Sequence, residues 1–152
     1  MDTKCDIATK RFTEGFHCSQ SVLEAFAADY GLDPVLARKV ANPLAGGSGV
    51  GGECGAVTGA LMVLGLHYGM AEPDDSEAFQ DTFEKVGKFV EEFKARHGTL
   101  NCHQLIGLNV FSEEGLKEFM EKNVKLTQCI RYVEDAVGIV EDIISRNPKP
   151  AK

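Results

Sequence analysis

Cysteine is the residue type with the most chemistry to offer in this chain, and five are present, at positions 5, 18, 54, 102 and 129. A thiolate is a nucleophile, a redox group and a soft metal ligand. No two of the five are spaced C-x-x-C, so neither a thioredoxin-type dithiol nor a compact zinc knuckle is written locally. Cys18, Cys54, Cys102 and Cys129 are separated by 36, 48 and 27 residues, so any joint site has to be assembled by the tertiary fold. The spacing by itself leaves a metal or cluster site open but favours a set of inert buried thiols. His17 and His103 adjoin Cys18 and Cys102 and read as alternative ligands, donors or plain neighbours. His67 and His97 fall near predicted helix ends and read as solvated or capping. No Ser/His/Asp set or pair of carboxylates stands out.

The elements that must position these cysteines are helices. Apolar residues recur at three- and four-residue steps almost throughout, and no segment alternates as a strand does. The pattern predicts helices over 6–16, 19–30 and 34–41, the last opened by Asp33 as N-cap and Pro34 at the first helical position. Further helices are expected over 54–68, 74–96, 102–106, 112–121 and 127–145. Gly31 and Gly98 are plausible stops, and Asn101 and Ser112 plausible caps. Phe79, Phe83, Val86, Val90 and Phe93 form a stripe expected to face the core, as do Ile130, Val133, Val137, Val140 and Ile144. The fold class is all-α: one domain over 1–152, a bundle of about six to seven helices with a glycine-rich loop before a central helix, and a frayed tail over 147–152. On these boundaries Cys18, Cys54, Cys102 and Cys129 all fall at helix N-termini, where free N–H groups and the macrodipole favour a thiolate.

The glycine loop, about 45–52, runs straight into Cys54: GGSGVGGECGAVTGALMVLG from Gly46. Gly47 to Gly52 satisfies G-x-G-x-x-G, yet no strand precedes it, so the dinucleotide reading fails on context. A phosphate loop would need Lys and Ser/Thr where Glu53-Cys54 stands. Dense glycine costs conformational entropy, and bare backbone beside Cys54 offsets that cost if it lets N–H groups approach sulfur. Gly51, Gly52 and Gly55 are the candidates for contact with a bound cofactor. Gly55 and Gly59, one turn apart, would let a second helix approach behind Cys54.

Charge narrows the partners. The net charge of −7 at pH 7 repels nucleic-acid phosphates and anionic lipid, so neither is expected. The longest apolar run, 56–68, is too short to cross a bilayer and contains Thr58 and His67. The first residues show no apolar signal-peptide core, so a cytoplasmic location is expected. There, thiols and ligands are commoner than disulfides.

Four stretches resemble one family, the C_GCAxxG_C_C redox-active proteins: RFTEGFHCSQSVLEAF (11–26), GGSGVGGECGAVTGALMVLG (46–65), FKARHGTLNCHQLIG (93–107) and CIRYVEDAV (129–137). The family label writes G-C-A where this chain reads Cys54-Gly55-Ala56. The resemblance implies four signature cysteines, Cys18, Cys54, Cys102 and Cys129, with Cys5 outside the signature. It also implies redox activity and similarity to modules that carry an iron–sulfur cluster. Three readings follow: a [2Fe-2S] or [4Fe-4S] protein passing single electrons to a redox partner protein, a metal-free thiol–disulfide oxidoreductase, and a zinc-stapled helical domain with no catalysis. A homodimer is compatible with each.

Overall fold

The structure, a computed structural model, describes residues 1–149. Its eight α-helices are α1 Lys4–Glu14, α2 Cys18–Ala27, α3 Pro34–Ala41, α4 Gly55–Tyr68, α5 Ser76–His97, α6 Cys102–Ile106, α7 Glu113–Glu121 and α8 Ile130–Arg146. The all-α expectation holds, and each of the eight periodic segments forms a helix, so the count exceeds the expected six to seven. Asn101 Oδ1 accepts the Gln104 N–H at 3.0 Å, and Ser112 Oγ the Gly115 N–H at 2.9 Å. Asp33 caps α3 through the Leu36 N–H, with Pro34 at its first position. α1 starts two residues earlier than expected because Thr3 and Asp6 close a reciprocal capping box.

α4 is the central helix. Ala56, Val57, Ala60, Val63 and Leu64 are all fully buried, on a helix that is apolar on every side. Burying each such aliphatic side chain contributes about 1.5–3 kcal/mol for the larger ones. α2 lies against α4 with little between them: a Cβ on Gly59 would stand 2.9 Å from Ser19 O and 3.1 Å from Val22 Cβ. α8 covers α1, α4 and α5 through Val133, Val137, Val140 and Ile143, with Ile130 and Ile144 packed partly buried beside them.

The stripe expected on α5 is corrected. Phe93 is buried and Val86 packs partly buried against the core, but Phe79 and Phe83 are 50% and 59% exposed and meet at a tilt with ring centroids 4.9 Å apart. The buried face runs through Lys85, Phe89 and Phe93 instead. Tyr68, at the end of α4, occupies the place opposite α5, and Lys85 lays its ammonium 5.2 Å from that ring while pairing with Asp81 at 2.6 Å. A long side chain with an apolar stem can thus take a core position that residue type alone assigns to phenylalanine.

Two polar devices fix the periphery. The buried Glu24 of α2 receives Arg11 of α1 and Arg38 of α3, each at 3.1 Å, and so ties three helices. Tyr68 Oη donates to the Asn147 carbonyl at 2.6 Å, and Lys88 Nζ to Asn147 Oδ1 at 2.8 Å. Residues 150–152, the end of the tail expected to fray, lie outside the described residues.

Candidate functional site

Four cysteines converge, and the backbone between them explains how. Glu53 and Asn101 form an antiparallel bridge, flanked by two backbone hydrogen bonds: the Cys54 N–H to Leu100 O and the Cys102 N–H to Gly52 O, both 2.7 Å. That bridge sets Cys54 beside Cys102 across 48 residues of sequence. Leu105 O, on α6, accepts from Gln128 Nε2 at 2.7 Å and from Tyr132 Oη at 3.1 Å, which fixes α6 against the segment bearing Cys129. Cys18 reaches Cys54 through the close contact of α2 with α4. Gly55 makes that contact, because a Cβ there would collide with Cys18 Sγ and stand 3.1 Å from Ser19 N. Ser19 Oγ donates to Ala41 O at 2.8 Å and holds the start of α2 against α3.

The electrostatics follow from this arrangement. The Cys54 thiol donates a hydrogen bond to Cys18, which lowers the Cys18 thiol to about 7 against the cost of burial. The N–H groups of Ser19, Gly46 and Cys18 itself add to that stabilisation. Donating the proton, together with burial, pushes Cys54 well up. Burial and then the negative charge of Cys18 raise Cys102 to about 11. Burial, then Cys18 and Cys102, raise Cys129 to about 12, with Lys125 opposing. Of the four, Cys18 is held nearest the thiolate form, and Cys54, Cys102 and Cys129 are held as thiols.

Helix N-termini do not lower all four thiols, contrary to the sequence expectation. Cys18 and Cys102 open α2 and α6, and Cys54 caps α4. Cys129 instead ends a π-turn over Lys125–Cys129 that runs continuously into α8, so its neighbouring N–H groups are not free. Burial outweighs the dipole everywhere except at Cys18, where three N–H groups and a thiol act together.

The glycine loop is a left-handed turn. Gly46, Gly47, Ser48 and Gly49 have φ of 64°, 68°, 60° and 76° in succession, and Gly51 has 69°. A run of this hand suits glycine, because each Cβ in it costs about 1–2 kcal/mol; Ser48 carries that cost. The turn brings the Gly46 N–H to Cys18. Gly52 is fixed to both sides, its N–H to Gly47 O and its carbonyl to Cys102. Gly51 faces the His103 ring, where a Cβ would collide with Nδ1, rather than a sulfur.

The remaining residues separate clearly. Cys5 lies apart from the four, under the influence of Glu134, Asp6, Glu141 and Asp135. His103 packs on Gly51 and Phe111, with Nε2 buried and without a hydrogen-bond partner among the described residues. His67 and His97 are not simply solvated or capping: His67 Nδ1 bonds Tyr30 Oη, and His97 Nε2 bonds Asp135 Oδ2, both at 2.7 Å. Sequence reasoning missed Lys125, whose Nζ donates to Phe16 O at 3.1 Å and lies 4.7 Å from the Phe12 ring centre. Its positive charge acts on both Cys18 and Cys129.

All four donors are cysteine thiols, which are soft ligands when deprotonated. Gly55 lets the backbone of α4 approach Cys18 Sγ, where a Cβ would collide. In kind and number the residues fit a thiolate-bound iron–sulfur group. Among the described residues, no three His, Cys, Asp or Glu side chains are arranged to hold one metal ion.

Together these features define an all-helical protein in which four distant cysteines meet beside a glycine turn. The sequence model of the family described as "Putative redox-active protein (C_GCAxxG_C_C)" matches residues 16–143. The chain belongs to that family of redox-active proteins. No curated protein and no solved structure gives a significant match. No helix among the described residues is long and apolar enough to cross a membrane.

Proposed function

We propose that the protein is a single-electron carrier whose iron–sulfur cluster is held by Cys18, Cys54, Cys102 and Cys129. The observation that carries this reading is the meeting of four thiols from four distant segments, twice as many as a dithiol exchange needs. When bound, such a cluster supplies reversible one-electron chemistry. The chain's part is to surrender thiol protons, to orient the sulfurs and to keep water away. Cys18 gives up its proton most readily; Cys54, Cys102 and Cys129 release theirs when a cation takes their place. The N–H groups of Gly46 and Ser19 point at sulfur and favour added negative charge, which raises the reduction potential. Of Gly51, Gly52 and Gly55, it is Gly55 that would set bare backbone beside the cluster, next to Cys18 Sγ.

The hydrogen bond between Cys54 and Cys18 favours a second reading. There the Cys18 thiolate attacks a partner's disulfide and forms a mixed disulfide, releasing one partner thiolate. Cys54 then loses its proton and attacks Cys18 Sγ, forming a Cys18–Cys54 disulfide and releasing the second partner thiol. Two electrons pass to the partner. Iron, sulfide and absorption measured on anaerobically purified protein separate the readings. Iron and sulfide in comparable amounts with a visible charge-transfer band support the cluster. Colourless, iron-free protein that loses two hydrogens by mass on mild oxidation, and not after Cys54→Ala, supports the dithiol.

A further inference from the structure

Residues 40–52 and 98–112 contain no Asp, Glu, Lys or Arg, in a chain where these make up 26%. Burial explains the lack of charge along α4, but not here. Val50 is 81% exposed, Val40 57% and Phe111 56%, and Asn42, Gln104 and Asn109 are exposed among them. The two stretches lie side by side: the Glu53–Asn101 bridge joins them, His103 sits on Gly51, and a Cβ on Gly46 would stand 2.7 Å from Phe111 Cζ. Cys102 lies within one stretch, and the loop leading to Cys54 forms the other. We propose that this uncharged face around the cysteines is the docking surface for a redox partner protein whose own rim is positively charged; this rests on the electron-carrier reading.

Two lines fix the occupant. Interface centres are depleted in charged residues and enriched in aromatic ones, with polarity at the rim, and transient electron-transfer contacts are small. A charge-free patch with Val50 and Phe111 as anchors has that composition. At its edges Glu53, Glu113 and Glu114 are exposed, against Lys39 and Lys94, while Arg96 is already paired with Glu92 and Asp135. With a net charge of −7, the chain attracts a basic protein, whereas a second copy would bring the same carboxylates and another −7 to the contact. The other exposed aromatic pair, Phe79 and Phe83, sits among Glu77, Asp81 and Glu84 and lacks this neutral surround.

The test titrates the 15N-labelled full chain with cytochrome c, a basic haem protein, and with the acidic cytochrome b5. Expected are amide shifts concentrated in 40–52 and 98–112 with cytochrome c only, weakening as salt rises. Val50→Ser, on an exposed loop, should weaken binding about ten-fold, and Phe83→Ser should not. Shifts centred elsewhere, equal binding of both probes, or no binding by cytochrome c overturn the proposal. So does a concentration-dependent dimer in sedimentation that Val50→Ser abolishes, since a second copy would then cover the face. Reduction of hexaamminecobalt(III) by the reduced protein separates the two claims. Cobalt reduced without cytochrome c docking leaves the carrier and removes the docking surface. Docking at the face with neither oxidant reduced leaves the surface and removes the carrier.

Discussion

Gly55→Ala tests the contact on which the site is built. The added methyl would collide with Cys18 Sγ and stand 3.1 Å from Ser19 N and 3.2 Å from Leu44 O. The last two are backbone atoms and cannot rotate away. Overpacking of this kind costs about 1–3 kcal/mol. Alanine returns up to about 1 kcal/mol of helix propensity, and less at the first position of α4. The net loss is therefore about 1–2 kcal/mol, which lowers Tm by about 2–8 °C for a chain of this size. Gly87→Ala in α5 is the matched control, since nothing lies within 4 Å of its added methyl. There alanine should stabilise by about 0.5–1 kcal/mol. Differential scanning calorimetry on the metal-free, reduced proteins reads both. Opposite signs are predicted. A Gly55→Ala protein melting at or above the parent would refute the close approach of α2 to α4.

In the metal-free protein, alkylation of Cys18 should rise with a midpoint near pH 7, while Cys102 and Cys129 stay slow until about 11 and 12. Cys54→Ala removes the thiol donor, so the Cys18 midpoint should move up towards the ordinary thiol value; an unmoved midpoint would show that the backbone N–H groups suffice. The same shifts give a stability profile. Cys18, lowered, contributes stability above its unfolded value, and this is lost as pH falls through about 7. Cys102 and Cys129, raised, make the fold lose stability as pH climbs past about 8.5, the free-thiol value. Calorimetry across that range checks the sign, and Cys129→Ser should flatten the alkaline loss. Glu24→Gln leaves two arginines without their carboxylate. Because both are partly exposed, the loss is discounted to about 2 kcal/mol, and denaturant unfolding measures it. Removing a bound cluster should lower Tm, because its ligands join segments far apart in sequence; an unchanged melting curve would contradict the joint site.

Much of the fold was legible because its signals are local. Asp33-Pro34, Asn101 and Ser112 mark helix starts by satisfying specific N–H groups. Gly31 and Gly98 end their segments in the left-handed region. The stripe on α8 was legible too, since Val133, Val137 and Val140 keep one phase along a single helix. Phe79 and Phe83 were misread because periodicity identifies a face but not how far the neighbouring helix extends along it. The four cysteines were legible as a set, but their meeting was not. It depends on the Glu53–Asn101 bridge, on the π-turn before Cys129 and on Gln128 reaching Leu105 O, all of them tertiary or irregular. Lys125 escaped notice for a similar reason: its charge acts on Cys18, 107 positions away in the sequence.

The most direct test of the central claim is quantitative electron paramagnetic resonance, with iron analysis, on the anaerobically reconstituted chain before and after one-electron reduction. The account predicts a signal that appears or disappears with one electron per chain, retained in Cys5→Ala. It should be lost with the iron in Cys18→Ala, Cys54→Ala, Cys102→Ala and Cys129→Ala. A chain that takes up no iron, or four variants that all retain it in full, would contradict the account.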